Sequence, residues 1–229
     1  MKKLILPVVL IVLGIVEIIL ACTGFKLPLP IAIVLGIMFI VMGNIRRTKM
    51  IFYHVISDMP KYAGQHIILD EEHPNGVHKR VYEKMDIVED IYAHPEKYEG
   101  TEISHDIDVA LREMALEKVR KEKYPDYPSR MASLYVSKTF EEAEQWGDYF
   151  ARLGRPTYGI AKIEARGNMY EGDAYKCFDG TISEAENLRQ AENYWRNDSN
   201  EDGHRQIVEI LVDGNIEILE IVKEINANI

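Results

Sequence analysis

Two apolar runs at the start of the chain constrain its architecture more than any other feature. Leu4–Cys22 is 19 residues long with one charge, Glu17, and Leu27–Gly43 is 17 residues long with none. As helices rising about 1.5 Å per residue they span roughly 28 and 26 Å, close to a hydrocarbon core of about 30 Å. Thr23–Lys26 is a short link containing Gly24, and Pro28 and Pro30 fall where the start of a helix tolerates them. The pattern predicts a two-helix transmembrane hairpin in residues 1–49, with the lipid bilayer as the partner of residues 4–43. Lys2 and Lys3 precede the hairpin, and Arg46, Arg47 and Lys49 follow it. The positive-inside bias then gives a multi-pass protein of the cell membrane with both termini and residues 50–229 in the cytoplasm. A cleaved signal peptide is the alternative, since Ile19-Leu20-Ala21-Cys22 loosely matches a lipid-attachment box. The length of the run, Glu17 within it and Leu20 at its place in the box argue against cleavage. Even then Leu27–Gly43 would cross once and keep its basic flank inside. Glu17 itself reads as a carboxylate tolerated near a helix end.

The rest of the chain is different in kind. The 229 residues hold 27 Lys/Arg and 37 Asp/Glu, of which the first 49 residues take six bases and one acid, leaving 21 bases, 36 acids and a net charge of −15 in residues 50–229. Such a surface repels phosphodiester backbones and argues against broad nucleic-acid binding. A small anionic ligand would need a locally basic pocket. The two cysteines, Cys22 and Cys177, fall one in each region. They can build neither a disulfide framework nor a cysteine zinc site. No metal site is expected, because His66, His73 and His78 lack helical ligand spacing and a third partner. No phosphate-binding glycine loop is present, which argues against an ATPase or a hydride-transfer enzyme.

From Met50 onward strand and helix patterns mix. Ile51–Ser57 and Gln65–Asp70 read as strands, and Val77–Tyr92 reads as one helix from the spacing of Val77, Val81, Met85, Val88 and Tyr92. Asp106–Lys123 is a second helix with Ile107, Ala110, Leu111, Met114 and Leu116–Val119 on its buried stripe, and its basic end suits a helix C-terminus. Arg130–Ser137 is a strand, Thr139–Leu153 a helix with Glu141 and Glu142 in its first turn, and Thr157–Ala165 a strand continued by Met169–Glu171. Ser183–Trp195 is a helix, and Asn197–Gly203 is a polar, acidic loop. Gln206–Val212 and Ile216–Val222 then read as a hairpin around Asp213-Gly214-Asn215. The class is α+β, with a mixed sheet.

Three polar residues stand out in these strands, where burying polar groups costs free energy. His54 sits in Ile51–Ser57, and its plain reading is a hydrogen-bonded core histidine. Tyr135 shares a strand face with Ser133 and Ser137, opposite Leu134 and Val136, and its plain reading is an aromatic residue at a sheet edge. Glu209 interrupts Ile207–Val212. Either a partner or water relieves its charge, or the strand lines a pocket where the carboxylate acts.

Taken together and in this order, these residues resemble the His-Tyr-Glu branch of the ADP-ribosyltransferase superfamily. The resemblance also extends, over nearly all of residues 50–229, to an uncharacterised family of bacterial domains. It is carried by Phe52-Tyr53-His54, by Tyr135-Val136-Ser137 followed by Trp146, and by Glu209-Ile210-Leu211-Val212. It implies that NAD is the substrate and that no metal takes part. His54 would bind the adenosine ribose, and Tyr135 would stack on the nicotinamide beside Ser137. Trp146 or Tyr149 would close the other side, and Glu209 would hold the nicotinamide-ribose 2′-hydroxyl as the catalytic residue. Lys79, Arg80 and Arg130 are the cations offered to the pyrophosphate, against a plain reading as solvated surface charges. Two departures limit the likeness. The stretch from His54 to Tyr135 holds two extra helices, and Ile207 stands where arginine-modifying members carry Glu or Gln. The resulting expectation is a membrane-anchored, NAD-dependent ADP-ribosyltransferase-like protein acting on an unknown macromolecular acceptor such as a protein. The alternatives are a non-catalytic nucleotide- or protein-binding module and a purely structural domain.

Overall fold

The strand patterns resolve into two sheets. The computed structural model describes residues 49–57, 59–199, 203 and 205–225, which belong to a compact unit beginning at Lys49. Strands β1 (Met50–Ile56), β2 (His66–Leu69), β4 (Gly159–Arg166) and β7 (Gly214–Glu224) form one sheet in the order β1-β4-β7-β2. Strands β3 (Leu134–Val136), β5 (Met169–Asp173) and β6 (Val208–Val212) form the other, in the order β3-β6-β5. The class is α+β, but every strand pairing among the described residues is antiparallel, so the expected mixed sheet is corrected to two antiparallel ones.

The expected hairpin at Asp213-Gly214-Asn215 is a second correction. Its arms pair with different sheets: β6 with β3 and β5, β7 with β4 and β2. Gly214 makes the crossing. It has φ +80°, and a Cβ there would lie 2.5 Å from the Arg166 carbonyl oxygen. The β4–β5 link crosses between the same sheets, and the two crossings are tied together where the Asp213 carboxylate accepts from the Asn168 amide N–H at 2.5 Å and from Asn168 Nδ2 at 3.1 Å. Elsewhere the sheets meet again at a two-bond bridge, Tyr53 N–H to the Ser137 carbonyl at 2.9 Å and Ser137 N–H to the Tyr53 carbonyl at 2.8 Å.

Strand alternation then sorts the core. Phe52, Ile163, Ile216 and Ile218 of the first sheet pack with Val136, Ile210 and Val212 of the second. The opposite parity of β6 puts Leu211 against Ala115, Leu116 and Val119 of helix α3 (His105–Lys123) and Ala191, Tyr194 and Trp195 of helix α5 (Glu184–Arg196). Glu209 shares that parity. Helix α4 (Phe140–Arg152) covers the first sheet through Ala143 against Val55 and Ile160. It starts on a capping box in which Thr139 Oγ1 accepts from Glu142 N–H and the Glu142 carboxylate accepts from Thr139 N–H, both at 3.2 Å.

Two expected elements break. The single helix over Val77–Tyr92 is two, α1 (Gly76–Tyr82) and α2 (Met85–Ala93), and the break lets Val81 from one and Val88 and Ile91 from the other bury together against Ala110 and Leu111 of α3. The strand expected from Arg130 begins only at Leu134, because Arg130–Ala132 forms a 3-10 turn that carries the Arg130 side chain inward.

The membrane assignment is also corrected. No helix among the described residues is long and apolar enough to cross a membrane. The two apolar runs on which the hairpin and the cell-membrane location rested lie outside the described residues, and that location is carried no further.

Candidate active site

β1 meets Ser137, just past the end of β3, through one bridge, and a cleft of about 590 Å³ opens beside it. That volume is ordinary for a small-molecule site. Residues from distant parts of the chain line it: His54 from β1, Ser133, Tyr135 and Ser137 around β3, Trp146 from α4 and Glu209 from β6. Arg80 of α1 and Arg130 also reach the wall. Of the residues singled out from sequence as site candidates, Lys79 lies outside the lining, and so does Tyr149. It is 44% exposed and meets Trp146 edge-on with ring centroids 5.8 Å apart, while its neighbour Phe150 faces the cleft.

His54 is held across the bridge. Its Nδ1 lies 2.9 Å from the Tyr135 carbonyl, and since a carbonyl only accepts, Nδ1 carries a proton and donates it. The same bond ties the first aromatic face of the cleft to the second sheet. Burial pushes the Tyr135 phenol up, with the Arg130 guanidinium opposing it, so Tyr135 is a neutral ring at physiological pH. Trp146 packs against Phe150 on the other side, ring centroids 5.8 Å apart.

Glu209 is neither a free carboxylate nor a solvent-facing one. Its Oε1 accepts from Arg130 Nη1 at 2.5 Å and from the Tyr194 hydroxyl at 2.6 Å. Oε2 makes no bond among the described residues. Arg130 is buried and spoken for: its Nε donates to Glu113 Oε2 at 2.9 Å, and its guanidinium lies 5.3 Å from the Tyr135 ring centroid and 5.0 Å from that of Tyr194. Arg112 Nε donates to Glu113 Oε1 at 3.1 Å. Burial works against the charge on Glu113, yet the Arg130 and Arg112 guanidiniums outweigh it and hold its carboxyl below the ordinary value. Two guanidiniums and two carboxylates thus form a neutral chain in the interior, where isolated charges would not survive. The plain reading of Arg130 as a solvated surface charge is therefore corrected. Cys177 lies beside this chain, 3.9 Å from Arg130 Nη2, and burial pushes its thiol up.

The remaining charge on the wall is the exposed acid Asp106 and two bases. Arg80 and Arg155 are exposed and make no ion pair among the described residues, and Arg155 rests over the Phe150 ring at 4.5 Å. Four guanidiniums, of Arg80, Arg112, Arg130 and Arg155, line the cleft against the carboxylates of Asp106, Glu113 and Glu209. This is the locally basic pocket that an anionic ligand of an acidic protein requires.

Sequence reasoning missed Glu113, Arg112, Tyr194 and Asn75. A signal for Glu113 existed: it lies three residues after Ala110 and three before Leu116, on the spacing of the apolar stripe. Asn75 was legible only as a turn. Its Oδ1 caps α1 by accepting from Val77 N–H at 2.9 Å, and its Nδ2 donates to the Arg130 and Ser133 carbonyls at 2.8 Å each, so it pins the inserted helices to the turn that carries Arg130. The insertion seen as a departure from the family pattern forms a wall of the cleft.

Among the described residues no group of three His, Cys, Asp or Glu side chains is arranged to hold a metal ion. The family model described as protein of unknown function (DUF2441) matches residues 52–224, from within β1 to the end of β7. No curated protein matches the chain.

Proposed function

The chain belongs to the DUF2441 family of proteins of unknown function, and we propose that its cleft binds NAD and supports transfer of ADP-ribose to a nucleophilic acceptor. The observation that carries this reading is the convergence of His54, Tyr135, Trp146 and Glu209 on one cleft from four separate elements. The nicotinamide ring stacks between Tyr135 and the Trp146 side, where aromatic faces attract a flat cation. His54 binds the adenosine-ribose hydroxyls, and Arg80 and Arg155 meet the pyrophosphate. Glu209 Oε2 accepts from the 2′-hydroxyl of the nicotinamide ribose. The N-glycosidic bond then breaks with its electron pair leaving on nicotinamide, and the carboxylate stabilises the positive charge that develops at the anomeric carbon. The acceptor forms its bond to that carbon and gives up a proton. The buried hydroxyl of Ser133 on the same wall has no partner among the described residues, which suits a site completed by a ligand or water.

A second reading, nucleotide binding without turnover, draws on the contacts that occupy Glu209 Oε1. NAD consumption by the full chain, alone and with cell lysate, beside Glu209→Gln, separates the two. Nicotinamide release that is lost in the variant supports transfer. NAD binding without release, lost in His54→Ala, supports the binding module, and no binding of NAD rejects both.

A further inference from the structure

We propose that Arg130 is the positioning residue of Glu209, fixed for that task by Glu113, and is not a ligand for phosphate. The inference rests on the reading of the cleft as an NAD site and changes the part that Arg130 plays in it. Arg130 is 6% exposed and Glu113 is 2% exposed, so neither can leave the interior to follow a ligand without stranding the other's charge. The guanidinium divides its donors by direction. Nε and Nη2 face Glu113, at 2.9 and 3.4 Å, and Nη1 faces Glu209 Oε1 and the Tyr194 hydroxyl, at 2.5 and 2.7 Å. A planar fork held on one edge by a buried carboxylate presents its other edge in a single orientation.

The effect on Glu209 is geometric. With Oε1 tied by Arg130 and by Tyr194, rotation of the carboxylate is blocked and Oε2 is the oxygen offered to a ligand hydroxyl. Such pre-orientation is what a transition-state stabiliser needs, because the carboxylate then loses no freedom when the charge develops. Glu113 comes from α3, within the stretch that lengthens the chain between His54 and Tyr135, so the inserted helices supply the anchor of the site as well as its wall. Arg112 supplies the second positive charge against the carboxylates of Glu113 and Glu209 and keeps the chain of four groups neutral.

A phosphate ligand and a positioning residue differ in how their loss combines with loss of Glu209. NAD affinity of the full-length protein is measured by calorimetry, and nicotinamide release by kinetics, for wild type, Arg130→Met, Glu209→Gln and the double variant. Tryptophan fluorescence and melting temperature check that each variant is folded. Arg130→Lys and Glu113→Gln, which keep the volume of the site, are measured alongside in case Arg130→Met does not fold. If Arg130 acts through Glu209, Arg130→Met loses about tenfold in NAD affinity, and the double variant is no weaker than Glu209→Gln alone. Where release is measurable, kcat falls in Glu113→Gln more than KM rises, and Arg130→Lys restores part of it. Losses that multiply in the double variant assign Arg130 directly to the ligand and overturn the inference while leaving the NAD reading intact. Absence of NAD binding by the wild type overturns both.

Discussion

At the scale of single residues, Glu113 determines whether the interior tolerates its charges. It is buried between Arg112 and Arg130, and its carboxyl is held below the ordinary value of 4.5 in the folded chain. A depressed carboxyl contributes stability that is complete above the unfolded value and is lost as pH falls through the folded one. Breaking a buried pair by removing one partner costs about 3 kcal/mol or more. Glu113→Gln therefore unfolds at lower urea than the wild type at pH 7, and the gap between the two narrows below about pH 4.5 as the wild-type carboxyl is protonated. Urea midpoints across that range test this, and a constant gap would remove the charge from the explanation. Glu209 was legible in sequence as an unrelieved carboxylate in an apolar strand. The identity of its partner was not, because Arg130 lies 79 residues away and sequence spacing carries no information about such a pair.

At the scale of elements, most strands and helices follow from their own periodicity, since β1, β2, α3, α4, β4 and α5 form where alternation or a capped amphipathic stripe places them. The failures have a common cause. Val77–Tyr92 has helical spacing throughout, but burial of Val81, Val88 and Ile91 in one cluster bends it into two helices. Asp213-Gly214-Asn215 has the composition of a hairpin turn, yet β6 and β7 join different sheets. A left-handed glycine serves a reversal and a crossing equally well, so the local signal is the same for both. Gly214→Ala brings a Cβ to 2.5 Å from a backbone oxygen at φ +80° and is expected to cost at least about 2 kcal/mol. Gly76→Ala meets nothing within 4 Å at the start of α1 and is expected to be neutral or stabilising by less than about 1 kcal/mol. Denaturant titration of the pair checks the contrast.

At the scale of the whole molecule, an acidic chain encloses a cleft whose wall carries more guanidiniums than carboxylates. Surface and site thus select differently: the net charge of −10 repels long polyanions, and the cleft retains a place for a compact anion. A ligand that binds only the folded state stabilises it by about 2.7 kcal/mol at a hundred times its Kd. NAD at saturating concentration is accordingly expected to raise the melting temperature by several degrees, and His54→Ala to reduce that shift. Duplex DNA at equal phosphate concentration should leave the melting temperature unchanged. Differential scanning measurements decide between these outcomes.

Local sequence settles what depends on neighbours along the chain: the α+β class, the helix starts at Thr139 and Ser183, the face on which Tyr135 stands beside Ser133 and Ser137, and the cost that singles out His54 and Glu209. Strand parity alone places Glu209 with Leu211 and opposite Ile210. Long-range packing sets the rest: which strands share a sheet, that Arg130 turns inward to two carboxylates, and that inserted helices supply Glu113 to the cleft. Those outcomes rest on pairings between residues tens of positions apart. Their free energy appears only once both partners leave water together, and no local pattern of either partner encodes it.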